Sequence, residues 1–365
     1  MSDIEPFHLD IPRSQLDDLH ARLDLTRWPD ELPRVGWDYG IPLDYLKELT
    51  RYWRTVYDWR VHERQLNELG QFTTEIDGQR IHFLHVRSAD PDALPLILTH
   101  GWPGSVVEFL PVVEALSARH HLVIPSIPGY GFSGPTTETG WDVPRIARAF
   151  AELMHRLGYS RYGAQGGDWG SGISRELGAS DAGHVVGVHV NMLGTAPRDT
   201  DELTGEERER LAHGERYQRE LSGYMKQQST RPQTLAYALH DSPVGQLAWI
   251  VERFKDWTDS TDAPEDAVDR DLMLTNVMIY WLTGTAGSSA RLYRESGRTW
   301  RNPVRVEVPV GVAVFPHDIV LPVRRLAERD HNIVHWSEFD RGGHFAAMEE
   351  PDLLAADVLR FFGSL

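Results

Sequence analysis

The chain has 365 residues, of which 41% are hydrophobic and 25% are charged, a balance typical of globular proteins. Its 54 acidic and 37 basic side chains give a formal net charge of −17, which disfavours a surface that neutralises nucleic-acid phosphates. The absence of cysteine excludes disulfides, thiolate catalysis, iron–sulfur clusters and cysteine-ligated zinc. None of the three lysines follows a glycine, which excludes a G-K-[ST] phosphate loop.

The N-terminal residues are acidic and lack the apolar core of a signal peptide. No stretch of the chain approaches the ~18 consecutive apolar residues that a membrane span requires. We therefore expect a cytoplasmic protein without a membrane anchor.

Residues 1–85 are expected to form a helical, aromatic-rich segment that wraps around the rest of the chain and leads into a sheet. Four of the twelve tryptophans lie in its first 60 residues. A first helix is predicted from the spacing of Leu16, Leu19 and Leu23, and a second amphipathic helix from about residue 42 to 69. The alternating pattern around Asp77-Gly78 predicts a β-hairpin over residues 72–86.

Residues 86–195 are predicted to be the first part of an α/β core. Short apolar runs alternate there with helical patterns, which favours a mostly parallel sheet covered by helices on both faces. The predicted strands are 94–99, 121–127 and 161–165, and the predicted helices are 106–117 and 143–157.

Residues 196–302 interrupt this alternation and are predicted to form an inserted, mostly helical lid. Strand patterns return at 306–314 and 333–338, before a closing helix at 351–362. Residues 303–365 are therefore expected to be the second part of the core.

Asp168 lies at the centre of the sequence Gly-Gly-Asp-Trp-Gly (166–170), directly after a predicted strand. This is the G-x-S-x-G spacing of the nucleophile elbow, with aspartate in the serine position. No G-x-S-x-G sequence occurs in the chain. The pattern favours a carboxylate nucleophile, and a glycine-rich turn with a helix-capping aspartate is the alternative.

Other residues at strand ends complete a set that suits such a nucleophile. The backbone N–H groups of Trp102 and Trp169 are expected to form an oxyanion hole, one from each loop. His344 lies in a late Gly-Gly-His turn, where it would act as the base, and Asp318 lies shortly after the strand predicted to end at 314. The order Asp168, Asp318, His344 is that of the α/β-hydrolase fold.

Over essentially its whole length, the chain resembles the epoxide hydrolases of the microsomal type, including their N-terminal segment. The matching stretches are HGWPGS (100–105), GYGFS (129–133), GGDWG (166–170), SGYM (222–225), DSPVG (241–245), LTNVMIYW (274–281) and RGGHFAAMEEP (341–351). The resemblance implies that Tyr224 and Tyr293 donate hydrogen bonds to the epoxide oxygen. Two departures stand out: animal members begin with a membrane anchor, and their relay acid is commonly glutamate where this chain has Asp318.

The resemblance implies that an apolar epoxide, such as an aryl or aromatic natural-product epoxide, reacts with water to give a vicinal diol through an aspartyl ester. No cofactor and no metal are expected, and a homodimer is an option. A haloalkane dehalogenase is one alternative, although it has no use for the tyrosine pair. A catalytically silent hydrolase fold that only binds ligands is the other, although such proteins usually lose a triad residue.

Overall fold

A nine-stranded sheet forms the centre of the protein in the computed structural model, which describes residues 4–297 and 304–365. The strands are β1 (Glu5–Pro6), β2 (Gln71–Ile76), β3 (Gln79–Val86), β4 (Pro95–Thr99), β5 (His121–Pro125), β6 (Tyr162–Gly166), β7 (Val185–Asn191), β8 (Val306–Val314) and β9 (His331–Glu338). Their spatial order is β1-β2-β3-β5-β4-β6-β7-β8-β9. All neighbours from β5 to β9 are parallel, and β1 to β3 form an antiparallel edge. The mostly parallel sheet predicted from the sequence is confirmed.

The register of the two central strands brings two loops together. Thr99 at the end of β4 pairs with Gly166 at the end of β6. Because parallel strands end at the same edge of a sheet, the loop at 100–105 meets the turn that carries Asp168.

The described part of the N-terminal segment forms three α-helices, α1 (Arg13–Asp24), α2 (Leu43–Thr55) and α3 (Trp59–Glu68), and a short 3-10 helix, Gly36–Tyr39. The prediction of one continuous helix from residue 42 to 69 is wrong, because the chain leaves the helical conformation between α2 and α3. Asp58 explains the break, since its side chain accepts the backbone N–H of Arg60 and caps the start of α3. Such local side-chain bonds compete with a continuing helix.

The first core helices are α4 (Val113–Ser117), α5 (Val143–Arg156) and α6 (Asp168–Ser180). The helix predicted over 106–117 is mostly a 3-10 helix, Val106–Val112, which continues into α4. Pro111 lies inside it and has no backbone N–H to donate, which disfavours regular α-helical bonding at this point.

Strand β7 is missing from the sequence prediction, because Gly187 and His189 interrupt its apolar pattern. A Cβ atom on Gly187 would lie 2.5 Å from Cδ1 of Leu365 and 3.1 Å from the ring of Phe361, so glycine allows this close packing. The next residue, Val188, points to the other face and contacts Gly178 of α6. Helices therefore cover both faces of the sheet, as predicted.

Between β7 and β8 the chain forms a helical insertion. Its helices are α7 (Gly205–Glu220), α8 (Gly223–Thr230), α9 (Pro232–Asp241), α10 (Pro243–Trp257), α11 (Arg270–Thr283), α12 (Ala286–Ser289) and α13 (Arg291–Glu295). The predicted lid boundary at 302/303 lies outside the described residues. The core then adds α14 (Arg324–Asp330), α15 (Ala346–Glu349) and α16 (Pro351–Phe362). Among the described residues, no helix has both the length and the apolar character needed to cross a membrane.

The N-terminal segment packs on the inserted helices through polar as well as apolar contacts. Trp53 on α2 donates its indole N–H to the sulfur of Met278 on α11, at 3.2 Å. The hydroxyl groups of Tyr57 and Thr275 are hydrogen-bonded at 2.9 Å. These buried contacts join the first 70 residues to the helices that lie over the carboxyl edge of the sheet.

Candidate active site

Asp168 occupies the sharp turn between β6 and α6. Its φ of +48° lies in the left-handed region, which non-glycine residues rarely adopt and which is common at functional turns. The flanking glycines are required by close packing: a Cβ on Gly170 would lie 1.8 Å from the carbonyl oxygen of Thr99, and one on Gly166 would lie 2.4 Å from Gly170. The turn therefore has the shape of a nucleophile elbow, with a buried carboxylate at its tip.

The loop after β4 supplies a hydrogen bond to this carboxylate. The backbone N–H of Trp102 donates to Oδ1 of Asp168 at 2.8 Å. Helix α11 holds this loop through two hydrogen bonds. The amide of Asn276 donates to the carbonyl of Pro103 at 2.6 Å, and the hydroxyl of Tyr280 donates to the carbonyl of Gly104 at 2.7 Å. The position of the Trp102 N–H is thus fixed by the inserted helices.

The buried side chain of His100 also holds this loop in place. Burial lowers the pKa of His100 to about 4, so its ring is neutral at pH 7. Its Nδ1 lies 2.9 Å from the carbonyl oxygen of Gly101, and its Nε2 accepts the backbone N–H of Ile127 at 3.2 Å. A neutral imidazole provides one donor and one acceptor, and both are used here.

Trp169 follows Asp168 directly and stands in the first turn of α6. Backbone N–H groups in the first turn of a helix point out of its end rather than to a carbonyl of that helix. Its buried indole ring meets Tyr293 edge to face, with the ring centroids 4.8 Å apart.

His344 lies between two carboxylates. Its Nδ1 is 2.8 Å from Oδ1 of Asp318, and its Nε2 is 3.6 Å from Oδ2 of Asp168. Burial by itself lowers the pKa of His344, but the charges and hydrogen bonds of Asp318 and Asp168 outweigh it and raise the pKa to about 10. The imidazole therefore carries a proton at pH 7 as long as both carboxylates are ionised.

Two backbone contacts hold this histidine and its acid in place. The backbone N–H of His344 donates to the carbonyl of Trp257 at 2.8 Å, which ties the turn to the end of α10. Oδ1 of Asp318 also accepts the backbone N–H of Ile319 at 2.7 Å. The Asp318 carboxylate is consequently oriented before it meets the imidazole.

The two tyrosines named from the family resemblance reach the same place from α8 and α13. The ring of Tyr224 stacks on Trp102, with centroids 5.1 Å apart, and meets Tyr293 edge to face at 5.9 Å. The hydroxyl of Tyr217 donates to that of Tyr224 at 2.8 Å. Among the described residues the buried hydroxyl of Tyr293 makes no hydrogen bond of regular geometry, and it interacts only with the neighbouring Tyr224 hydroxyl in a weaker arrangement. Burial raises the pKa of both Tyr224 and Tyr293 above the usual value, and Asp168 adds to the effect.

All seven predicted residues, Trp102, Asp168, Trp169, Tyr224, Tyr293, Asp318 and His344, therefore surround one point at the carboxyl edge of the sheet. Sequence reasoning missed Tyr217 and Glu108, which lie next to this group. The sequence carries no signal for Tyr217, whereas Glu108 follows the HGWPGS stretch by three residues. Burial raises the pKa of Glu108 to about 8, since Asp168 and Glu349 add to the shift and His344 only partly opposes it.

Comparisons with known protein families agree with this geometry. The family model for the epoxide hydrolase N terminus matches residues 4–109, and the model for the alpha/beta hydrolase fold matches residues 95–224. A protein of Stigmatella aurantiaca named as a candidate epoxide hydrolase is 45% identical, covering 99% of this chain and 85% of its own length. Epoxide hydrolase 1 of Sus scrofa is 36% identical, covering 99% of this chain and 89% of its own length.

Two solved structures are similar over nearly their whole length. The epoxide hydrolase of Aspergillus niger has a TM-score of 0.91 and 34% identity, covering 99% of this chain and 96% of its own. The juvenile hormone epoxide hydrolase of the silkworm Bombyx mori has a TM-score of 0.94 and 31% identity, covering 100% and 95% respectively. The predicted fold and family are confirmed, and the chain belongs to the epoxide hydrolase family.

Proposed function

We propose that this enzyme hydrolyses an apolar epoxide to a vicinal diol in two steps, through an ester on Asp168. The observation that carries the proposal is the different environment of the two carboxylate oxygens. Oδ1 accepts the Trp102 N–H, while Oδ2 faces the imidazole of His344. One oxygen is thus held by a hydrogen-bond donor and the other is oriented towards the reacting centre.

In the first step, Oδ2 of Asp168 attacks an epoxide carbon and the carbon–oxygen bond of the ring breaks. The leaving oxygen is strongly basic, and the hydroxyl groups of Tyr224 and Tyr293 stabilise and protonate it. The buried Tyr293 hydroxyl makes no hydrogen bond of regular geometry among the described residues, and Tyr224 has its own proton to donate because Tyr217 donates to its oxygen. The product of this step is a hydroxyalkyl ester.

In the second step, water attacks the carbonyl carbon of Asp168. Ester formation removes the negative charge of Asp168, which is one of the two carboxylates that raise the pKa of His344. The imidazole therefore becomes able to lose its proton and to act as a base. The N–H groups of Trp102 and Trp169 stabilise the tetrahedral oxyanion.

The proton balance of this cycle closes. The resting enzyme holds an imidazolium and a carboxylate. Epoxide opening consumes the negative charge of Asp168 and one proton of the tyrosine pair, and the proton that His344 loses after ester formation restores that tyrosine. Ester hydrolysis then regenerates the Asp168 carboxylate and returns a proton to His344. Asp318 orients the ring throughout the cycle. The proposed reaction uses no metal and no cofactor.

The lining of the site favours an aromatic or otherwise apolar substrate. Buried indole and phenol rings surround Asp168: Trp102, Trp169, Trp257, Tyr224 and Tyr293. Rings of this kind stack well on aryl groups, and their few polar atoms converge on the reacting oxygen. We propose aryl epoxides as the substrate class.

We propose that residues 1–85 act as a wrapping segment and residues 196–302 as the lid of a two-part core, 86–195 and 303–365. The exposed side chains of Leu25, Leu32 and Tyr39 support a homodimer through the first of these segments. Sedimentation at several protein concentrations tests this association, and the cytoplasm is the compartment we propose.

The ester is the intermediate to test. His344→Gln incubated with styrene oxide is expected to accumulate a covalent adduct on the peptide that carries Asp168, because the second step lacks its base. The variant that combines His344→Gln with Asp168→Asn should show no adduct. Absence of the adduct in His344→Gln alone, with the protein folded, would contradict the ester mechanism. Halide release from bromoalkanes by the wild type would instead support the dehalogenase alternative.

A further inference from the structure

Two histidines flank one carboxylate at the edge of the sheet opposite to Asp168. Nε2 of His155 lies 3.4 Å from Oδ2 of Asp181, and Nδ1 of His184 lies 2.7 Å from Oδ1 of the same carboxylate. The two imidazole centroids are 4.5 Å apart. One ligand atom from each of the three residues lies within 4.8 Å of the others. Asp181 and His184 lie three residues apart in the turn between α6 and β7, and the tertiary structure brings His155 at the end of α5 to this pair.

The surroundings of this cluster favour a cation. His155 lies in the last turn of α5, and Asp181 directly follows the last residue of α6. The carboxyl end of a helix carries a partial negative charge, and here two such ends meet. The cluster also contains one formal negative charge and two groups that are neutral when they bind metal. The two helix ends and the carboxylate of Asp181 therefore all stabilise a positive charge at this point.

The hydroxyl group of Tyr162 orients the Asp181 carboxylate. Its hydroxyl donates to Oδ2 of Asp181 at 2.6 Å, and the tyrosine ring is buried at the start of β6. Metal-binding carboxylates are usually held by such an outer hydrogen bond, which fixes their direction. The side chains of His155 and His184 remain accessible, at 38% and 43% exposure. An ion can therefore reach the cluster from solvent.

We propose that His155, Asp181 and His184 bind one Zn²⁺ ion, with water in the remaining position. Two imidazole nitrogens and a carboxylate oxygen are ligands that Zn²⁺ accepts at about 2.0–2.2 Å. Tetrahedral ligands at that distance are roughly 3.4 Å apart, which is the separation of His155 Nε2 from Asp181 Oδ2. Binding replaces the Nδ1–H···Oδ1 hydrogen bond of His184 by a bond to the metal.

The role of this ion is structural. It joins the end of α5 to the turn between α6 and β7 and takes no part in the hydrolysis of the ester. Helix α6 has 13 residues and is about 20 Å long, so the site lies at the opposite end of that helix from Asp168. Zinc is thus expected to change stability and to leave turnover unaltered.

Titration calorimetry with ZnCl₂ and protein without a polyhistidine tag tests the site. The wild type is expected to bind one Zn²⁺ with a dissociation constant on the order of 10 μM or below. His155→Asn and His184→Asn should each weaken binding at least ~10-fold, and Tyr162→Phe should weaken it by a similar factor through the carboxylate. The matched control is His8→Asn, an exposed histidine remote in sequence, which should bind as the wild type does.

Thermal unfolding tests the site without relying on the heat of binding that calorimetry measures. Zn²⁺ at tenfold excess should raise the Tm of the wild type and of His8→Asn, with no shift in the variant that combines His155→Asn and His184→Asn. The kcat/KM for styrene oxide should stay within about twofold in every case. Binding no tighter than ~100 μM, or a Tm shift that persists in the double variant, would overturn the proposal.

Discussion

The backbone N–H of Trp102 donates to Oδ1 of Asp168 at 2.8 Å, which makes the two oxygens of this carboxylate inequivalent. In the proposed mechanism the oxyanion develops at Oδ1, whereas Oδ2 lies 3.6 Å from Nε2 of His344. A donor that is in position before the reaction costs no reorganisation when charge appears. Oδ2 is consequently the atom that we expect to attack the epoxide.

This inequivalence predicts the fate of the oxygen atoms in one turnover. Enzyme in excess over styrene oxide in ¹⁸O-labelled water should give unlabelled diol, because the new diol oxygen comes from Oδ2. The label should instead appear in the Asp168 peptide, since water attacks the carbonyl carbon. Mass spectrometry of both products measures this. Labelled diol with an unlabelled peptide would mean that water attacks the epoxide directly.

The tyrosine pair should control epoxide opening. Tyr224→Phe and Tyr293→Phe are each expected to slow ester formation by roughly 10²-fold, because each removes a proton donor to the leaving oxygen. Stopped-flow quenching of tryptophan fluorescence, with Trp102 and Trp169 beside the nucleophile, follows this step. Tyr217→Phe is the matched control, since it removes a hydroxyl that donates to Tyr224 rather than to the leaving oxygen, and it should slow the step much less. Unchanged ester formation in both single variants and in their combination would remove the pair from the mechanism.

Asp318 should affect the second step more than the first. Its Oδ1 accepts from His344 and from the backbone N–H of Ile319, so Asp318→Asn would place an amide where the imidazole needs an acceptor. Ester hydrolysis should slow by about 10³–10⁴-fold, and the ester should accumulate. Single-turnover kinetics measure both steps. Asp318→Glu is the conservative comparison and should retain more activity, as the family resemblance implies; equal loss in both variants would argue against a relay role.

Much of the site could be predicted from sequence because its residues stand at fixed places relative to strands. Asp168, Asp318 and His344 each follow a strand of a parallel sheet, so the fold itself brings them together. Tyr224 and Tyr293 lie in the inserted helices, whose positions do not follow from the order of the strands. Only the family resemblance pointed to these two residues. Their roles, and those of the triad, stay predictions, whereas the fold and family are confirmed.

The errors have local physical causes. The break between α2 and α3 depends on the capping side chain of Asp58, whose effect is stronger than the amphipathic pattern around it. Strand β7 was missed because Gly187 and His189 lower its apolar character. Both are needed for packing: Gly187 makes room for Phe361, and His189 pairs with the buried Asp357. These packing requirements come from residues that are distant in the sequence, so the sequence of the strand itself shows no pattern for them.

Glu108 should destabilise the fold as the pH rises. Burial raises the pKa of Glu108 to about 8, against about 4.3 in an unfolded chain. Because the folded pKa is the higher one, the contribution of Glu108 to stability is full below pH 4 and is lost as the pH rises through 8. The free energy of unfolding of Glu108→Gln should therefore be on the order of 1–3 kcal/mol higher than that of the wild type at pH 8.5. Urea unfolding at pH 4.5 and 8.5 measures the difference.

The control for this experiment is Glu114→Gln, an exposed glutamate on the adjoining helix α4. Its effect should be small and the same at both pH values. A Glu108→Gln difference that does not grow between pH 4.5 and 8.5 would show that Glu108 is already ionised in the folded protein.

Asp357 should have the opposite pH dependence. This buried carboxylate joins three side chains: His189 at 3.0 Å, His335 at 2.9 Å and the hydroxyl of Ser337 at 2.6 Å. Burial alone would raise the pKa of Asp357, but the hydrogen bonds from His189 and Ser337 outweigh it and hold the pKa well below its usual range. Since the folded pKa is the lower one, this stability is present above about pH 4 and is lost as the pH falls.

Asp357→Asn is accordingly expected to lower the free energy of unfolding by about 3 kcal/mol at pH 7, because it leaves the buried His189 and the half-buried His335 without their carboxylate. The cost should shrink as the pH approaches 3, where the wild-type carboxylate begins to take up a proton. Guanidinium unfolding at pH 7, 5 and 3 gives the three differences. Asp352→Asn changes an exposed carboxylate in the first turn of the same helix and should cost far less at pH 7. A cost for Asp357→Asn that is equal at all three pH values would mean that packing, rather than charge, holds β7, β9 and α16 together at this point.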